Sequence, residues 1–270
     1  MAEIMGYEEY LRSPKKELPY VMQIGQPPHV LTYVGVQHSF DLTHPQFPKI
    51  KALWEAFVAT VDPTNAVAFT EARVRQITTS EEDGITHAGE SGLVSYLGYK
   101  AGIPVACPEP DDQIEYAALL KQFSVDDILF YYTERVVAQY FRTPMTQPVE
   151  DYVDRYMARD KQKYGPATEH FTWEYFKKMM PDYGVTSFDP STAEQWLQLG
   201  NPTINGTQSN RVARASSILR DQHIANQIIQ KFNSGTSIFA VYGSTHVVMQ
   251  ESYLRTYLEP SKENQSPSSS

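Results

Sequence analysis

The sequence predicts an α/β fold, with a mixed or mostly parallel central sheet flanked by helices and carrying an all-helical insertion. Three observations predict it. Short apolar runs alternate with helical patterns from Val30 to Asp111. Strand signals vanish from Gln113 to about Gly200. From about Gln208 a long helical pattern and then a strongly apolar run restore the first rhythm. A chain of 270 residues has room for one large domain or two small ones. The expected organisation is a single α/β hydrolase-like domain over residues 1–258, with the helical insertion at about 113–207 and a disordered tail at 259–270.

Each element has its own warrant. Val30–Val34, Ala66–Phe69 and Ile103–Cys107 are short apolar runs of strand length. Helices are expected between them at about Pro45–Val61 and Glu90–Lys100, the second stopped by Gly102, a residue suited to the left-handed helix end. In the insertion, Ile128–Tyr132, Tyr152–Tyr156 and Phe171–Phe176 place aromatic and aliphatic residues at helical spacing between Pro and Gly breaks. The stripe from Phe130 to Phe141 reads first as core and second as the wall of an apolar pocket. Gln208–Phe232 carries Val212, Ala215, Ile218, Leu219, Ile228 and Phe232 near the 3.6-residue period. Ser237–Tyr242 is apolar throughout, as in a strand buried on both faces. A short helix, Val248–Tyr257, follows, and the polar, Ser-rich end of the chain has nothing to bury.

Composition narrows the function. With 23 Lys and Arg against 32 Asp and Glu the formal charge is −9, which argues against binding nucleic acid. One cysteine, Cys107, excludes an intramolecular disulfide and a thiolate zinc cluster. No run approaches 18 apolar residues, so no membrane partner is expected. The acidic start lacks an apolar signal region, so the cytoplasm is the expected compartment.

Three features could carry chemistry. Gly35-Val36-Gln37-His38 follows the first strand and Gly243-Ser244-Thr245-His246 follows the last. With 14 Gly and 7 His, one such spacing is expected about 0.4 times by chance, and Gly84–His87 is a third, uninformative match. Context raises the other two, because each puts a His in the loop beyond a strand's carboxyl end, where ligand crevices of open α/β sheets form. The second feature is acidic: Glu71 and Arg73 end the second strand, and Glu90 starts a helix, where the dipole favours a carboxylate. The third is Arg220-Asp221 within the long helix. Adjacent helical residues point about 100° apart, so these two do not pair. An inward Arg220 would bind a carboxylate or an oxyanion. Phosphate-binding loops, a dinucleotide fingerprint and the G-x-S-x-G elbow are all missing from the sequence. Cys107 reads as a small core residue.

In this order the motifs resemble the TraB/TIKI-like superfamily, which includes erythromycin esterase-like, GumN-like and ChaN-like proteins. The shared order is a G-x-x-H, a Glu with a nearby Arg, a Gly-Glu at a helix start, an Arg-Asp helix, and a second G-x-x-H. It falls here on Gly35–His38, Glu71–Arg73, Gly89-Glu90, Arg220-Asp221 and Gly243–His246, and covers about residues 28–112 and 208–258. The resemblance implies two histidines and an acidic residue meeting in one cleft. TIKI members are Mn- or Co-dependent peptidases, erythromycin esterase-like members use His and Glu on a macrolactone, and ChaN-like members bind haem.

The expected function is therefore a hydrolase, either a metal-dependent peptidase or amidase or an esterase-like enzyme, acting on a small molecule or peptide. His38, Glu71, Glu90, His246, Arg220 and Asp221 are its candidate catalytic residues, and Arg73, Gly35 and Gly243 would contact the substrate. His38, Glu90 and His246 would hold a divalent Mn, Co or Zn ion. The alternative is a non-enzymatic binding protein for haem or another apolar ligand, motivated by 18 Tyr and 12 Phe.

Overall fold

The computed structural model describes residues 3–73, 79–142 and 146–259. The expected disordered tail lies outside them from residue 260 onward. In chain order the elements are α1 (Tyr7–Arg12), β1 (Tyr20–Gln26), β2 (His29–Val36), α2 (Gln46–Val58), β3 (Ala66–Thr70), α3 (Glu81–Ala101) and β4 (Val105–Ala106). Five helices follow: α4 (Asp112–Leu119), α5 (Val125–Arg142), α6 (Val149–Tyr164), α7 (Trp173–Met179) and α8 (Ala193–Leu199). The chain closes with α9 (Gln208–Asn233), β5 (Ser237–Gly243) and α10 (Ser244–Leu258). They divide into an α/β unit, residues 1–109 with 221–270, and a helical unit, residues 110–220.

The α/β unit carries a five-stranded sheet of order β1-β2-β5-β3-β4. β1 runs antiparallel to β2, and the remaining pairs are parallel. β5, the last strand among the described residues, therefore lies between β2 and β3. Its composition explains the position, since Ser237–Gly243 is buried at every residue, and a parallel strand covered on both faces must be apolar throughout. Alternation divides the strands between two cores. Leu31, Tyr33, Val67, Phe69, Ala240 and Tyr242 face Ile224, Ile228, Val247 and Leu254 of α9 and α10. Val34, Val36, Ala68, Phe239 and Val241 face Phe47, Ile50, Trp54 and Leu93 of α2 and α3.

Four details depart from the sequence reading. β1 was not expected: its Gly and the two prolines that follow it mask the strand, although Met22 and Ile24 alternate into the core. β4 is only Val105–Ala106, a short edge strand, so Cys107 lies just past it and not within it. The final helix begins at Ser244 instead of Val248, so His246 stands in the first helical turn and not in a loop. Finally, α3 begins at Glu81, with Ala88 and Gly89 non-helical inside it. The straight segment thus starts at Glu90, as the sequence indicates, and Gly102 caps it in the left-handed conformation at φ 68°.

In the helical unit the aromatic stripe is core. Phe130 stacks on Tyr183 with ring centroids 3.6 Å apart and touches Phe176. Tyr132 stacks on Tyr164, and Trp196, fully buried, lies against Phe188 and Phe176.

Gly89 has φ 58°, and a Cβ there would stand 2.7 Å from the Ser39 carbonyl oxygen. Gly102 has φ 68° with open space around it. Gly102→Ala therefore carries backbone strain alone, about 1 kcal/mol, whereas Gly89→Ala adds a steric clash. Urea titration is expected to show the larger loss of stability for Gly89→Ala, and equal losses would refute the clash.

Candidate active site

The topology builds the site. β2, β5 and β3 are neighbours running in one direction, with Val36 opposite Gly243 and Thr70 opposite Val241. Whatever follows each strand emerges at the same carboxyl edge. His38 follows β2, Glu71 follows β3, and His246 follows β5.

Glu71 is the meeting point. Its Oε2 accepts a hydrogen bond from the Gly243 backbone N–H at 2.9 Å and lies 3.3 Å from Nε2 of His38. Its Oε1 lies 3.5 Å from Nε2 of His246. Gly243 makes this approach possible, because a Cβ there would stand 3.0 Å from His38 Nε2 and 3.4 Å from Glu71 Oε2. Gly35 acts elsewhere, since its missing Cβ lets β2 lie against Ser244 and Val247 of α10. Of the two glycines expected to contact substrate, Gly243 lies against His38 and Glu71 and Gly35 is a packing contact.

Each imidazole is held from behind by a buried carboxylate. His38 Nδ1 bonds Glu90 Oε1, whose residue is 4% exposed at the start of the straight segment of α3. His246 Nδ1 bonds Asp221 Oδ1 at 2.6 Å, and Asp221 is fully buried on α9. A buried carboxylate needs donors, and Gln250 supplies a second one, with Nε2 at 2.6 Å from the same Oδ1. Tyr33 OH in turn donates to Gln250 Oε1 at 3.2 Å. Sequence reasoning missed Gln250 and Tyr33. The signal for Gln250 was its place four residues after His246, on the same face of a helix.

These contacts set the protonation. The hydrogen bond to Glu90 raises the His38 pKa above its ordinary value, burial opposes it, and Glu71 adds to the rise. Burial would push His246 down, but the charges and hydrogen bonds of Asp221 and Glu71 outweigh it and raise the pKa to about 10. Tyr33 is pushed well up by burial and by Asp221 and Glu71, so it stays a neutral donor. At neutral pH the centre is a carboxylate facing an imidazolium at His246, with a second imidazole at His38 biased the same way.

The other expected residues lie as follows. Arg73 is exposed and beside the Cys107 thiol, which donates to the Glu71 carbonyl at 3.3 Å. Burial raises the Cys107 pKa against the pull of Arg73, which disfavours a nucleophilic thiolate. Arg220 is the last residue of the helical unit and Asp221 the first of the returning α/β unit. His87 is exposed, with Nδ1 2.8 Å from the Asp83 carbonyl oxygen on its own helix.

The expected metal set of His38, Glu90 and His246 does not converge on one point, whereas both Nε2 atoms converge on Glu71. Glu90 is engaged with Nδ1 of His38. Among the described residues, no group of three His, Cys, Asp or Glu is arranged to hold an ion. None of their helices is long and apolar enough to cross a membrane.

No family model, curated protein or solved structure matches this chain.

His246 binds its proton more tightly folded than unfolded, so its stabilising effect is complete below about pH 6.5 and is lost as pH rises through about 10. Urea midpoints of wild type and His246→Gln are expected to differ most below pH 6.5 and to converge toward pH 10 and above. A gap that does not change with pH would refute this protonation.

Proposed function

We propose that the protein is a hydrolase acting on neutral esters or amides, with acid–base chemistry carried by His38, Glu71 and His246. The observation that supports it is a single carboxylate between two imidazoles, each anchored by a buried carboxylate, at the carboxyl edge of three adjacent strands. Glu71, 18% exposed at its side chain, takes a proton from a bound water, which attacks the carbonyl carbon. His246, protonated and rigidly held, stabilises the oxyanion that develops. His38, with a side chain 55% exposed, gives its proton to the leaving group. Passing the proton from Glu71 to His38 across their 3.3 Å contact restores the starting state. Glu90 and Asp221 are positioning residues, fixing the rings through Nδ1. The TraB/TIKI-like order of motifs supports the same reading, because its esterase-like members work with His and Glu. The haem-binding alternative draws on aromatic content, and Phe130 and Tyr132 pack on rings of their own helical unit.

A panel of neutral p-nitrophenyl esters and anilides is the direct test. Glu71→Gln is expected to lower kcat by about 10²–10⁴-fold with the fold intact by circular dichroism. Because the rate needs a protonated His38, activity is expected to fall on the alkaline side, at a midpoint above 6.5. A rate that climbs steadily through that range would make a neutral imidazole the base instead.

Activity is also expected to survive dialysis against EDTA. Loss on chelation, with recovery on adding Mn²⁺ or Co²⁺, would assign the activation of water to an ion.

A further inference from the structure

The loop that carries His38 continues into Ser39-Phe40-Asp41-Leu42, in which Phe40 is 61% and Leu42 45% exposed. Exposed single apolar residues are common, but these two are held in place. Before His38, the buried Gln46 side chain brackets the backbone of Gln37, accepting from its N–H at 3.2 Å and donating to its carbonyl at 2.7 Å. After it, the Asp41 carboxylate accepts from the Thr43 N–H and hydroxyl at 2.9 and 2.8 Å, and the Asp41 N–H donates to Ser39 Oγ at 3.2 Å. The His44 N–H closes the turn on the Asp41 carbonyl at 2.9 Å. The Ser39 carbonyl lies over Gly89, where an added Cβ would be 2.7 Å from that oxygen and 3.9 Å from the Phe40 ring. Phe40 is thus fixed beside the residue that precedes Glu90, the carboxylate holding His38. An ordered loop that keeps two apolar side chains in water, two and four residues after His38, forgoes their burial.

Charge decides what covers them. Glu71, Glu90 and Asp221 surround the two imidazoles, and the whole chain carries −9. That field disfavours an anionic ligand. Resting on the hydrolase reading above, we propose that Phe40 and Leu42 are specificity-determining residues. They seat an apolar group that lies next to the scissile bond of an uncharged substrate.

The test uses the full chain and p-nitrophenyl acetate, butyrate and octanoate, comparing wild type with Phe40→Ser/Leu42→Ser and with the conservative Phe40→Tyr/Leu42→Met. In wild type, kcat/KM is expected to rise by about tenfold or more from acetate to octanoate. The octanoate-to-acetate ratio is expected to fall roughly fivefold or more in the Ser variant and to be kept in the conservative one. A wild type without chain-length preference, or a Ser variant that retains it, overturns the proposal.

Binding of N-phenyl-1-naphthylamine, an uncharged fluorescent probe, separates this proposal from the hydrolase reading. Suppose wild type and Glu71→Gln bind the probe, the Ser variant does not, and no protein cleaves any ester. The apolar seat then stands and the hydrolase reading fails. Ester cleavage without chain preference, with equal probe affinity in all variants, does the reverse. Sedimentation of wild type as a dimer and of the Ser variant as a monomer would assign the patch to self-association and overturn the seat.

Discussion

The Glu71 carboxylate is the interaction on which the site depends. Two imidazoles reach it from opposite sides, and a backbone N–H holds it from a third. Without that negative charge the two rings would face each other, and the charge on His246 already pulls the His38 pKa downward. With it, and with Glu90 and Asp221 behind the rings, the partners alternate in sign. Alternation of this kind lets a largely buried set of charges persist, since a buried ion is tolerated only when paired and hydrogen-bonded. Asp221 shows how closely the balance is drawn. Both of its donors, His246 and Gln250, meet the same oxygen, and the other oxygen has no hydrogen-bond partner among the described residues.

Rigidity in this set comes from the elements that carry it. Asp221 and His246 belong to the middle of α9 and the first turn of α10, which pack on one face of the sheet. Glu90 belongs to α3, which packs on the other. The sheet edge between them supplies Glu71 and the approach to His38. A catalytic group held by packed helices stays within the narrow geometry that proton transfer requires.

Much of this is legible in the order of residues alone. Gly-x-x-His after two apolar runs places both histidines, and the Gly-Glu pair marks the start of the straight helix, because glycine accepts the positive φ there. The strand order is not legible. Nothing local in Ser237–Gly243 says that it enters between β2 and β3; only its uniformly apolar composition says that it is central. The pairing of Asp221 with His246 is also hidden, because residues 25 apart meet through packing and not through spacing. Arg220 and Asp221 look equivalent from sequence. Their divergence by about 100° on the helix means that the Asp221–His246 bond does not fix where Arg220 points.

The order of the sheet also bears on how the protein is made. β5 is the last strand among the described residues yet supplies the contact between β2 and β3, so these two cannot join until residues 237–243 have been synthesised. Pairing across such a separation in sequence is slow, because the entropy of closing the intervening chain is lost before the contacts form. Until then the nascent protein exposes the apolar edges of two strands, a known hazard for aggregation. Glu71 and His38 also lack the backbone N–H of Gly243 and the imidazole of His246. The contacts around Glu71 are therefore completed in one event, when β5 enters the sheet, and a nascent fragment that stops short of that strand lacks the assembled cluster.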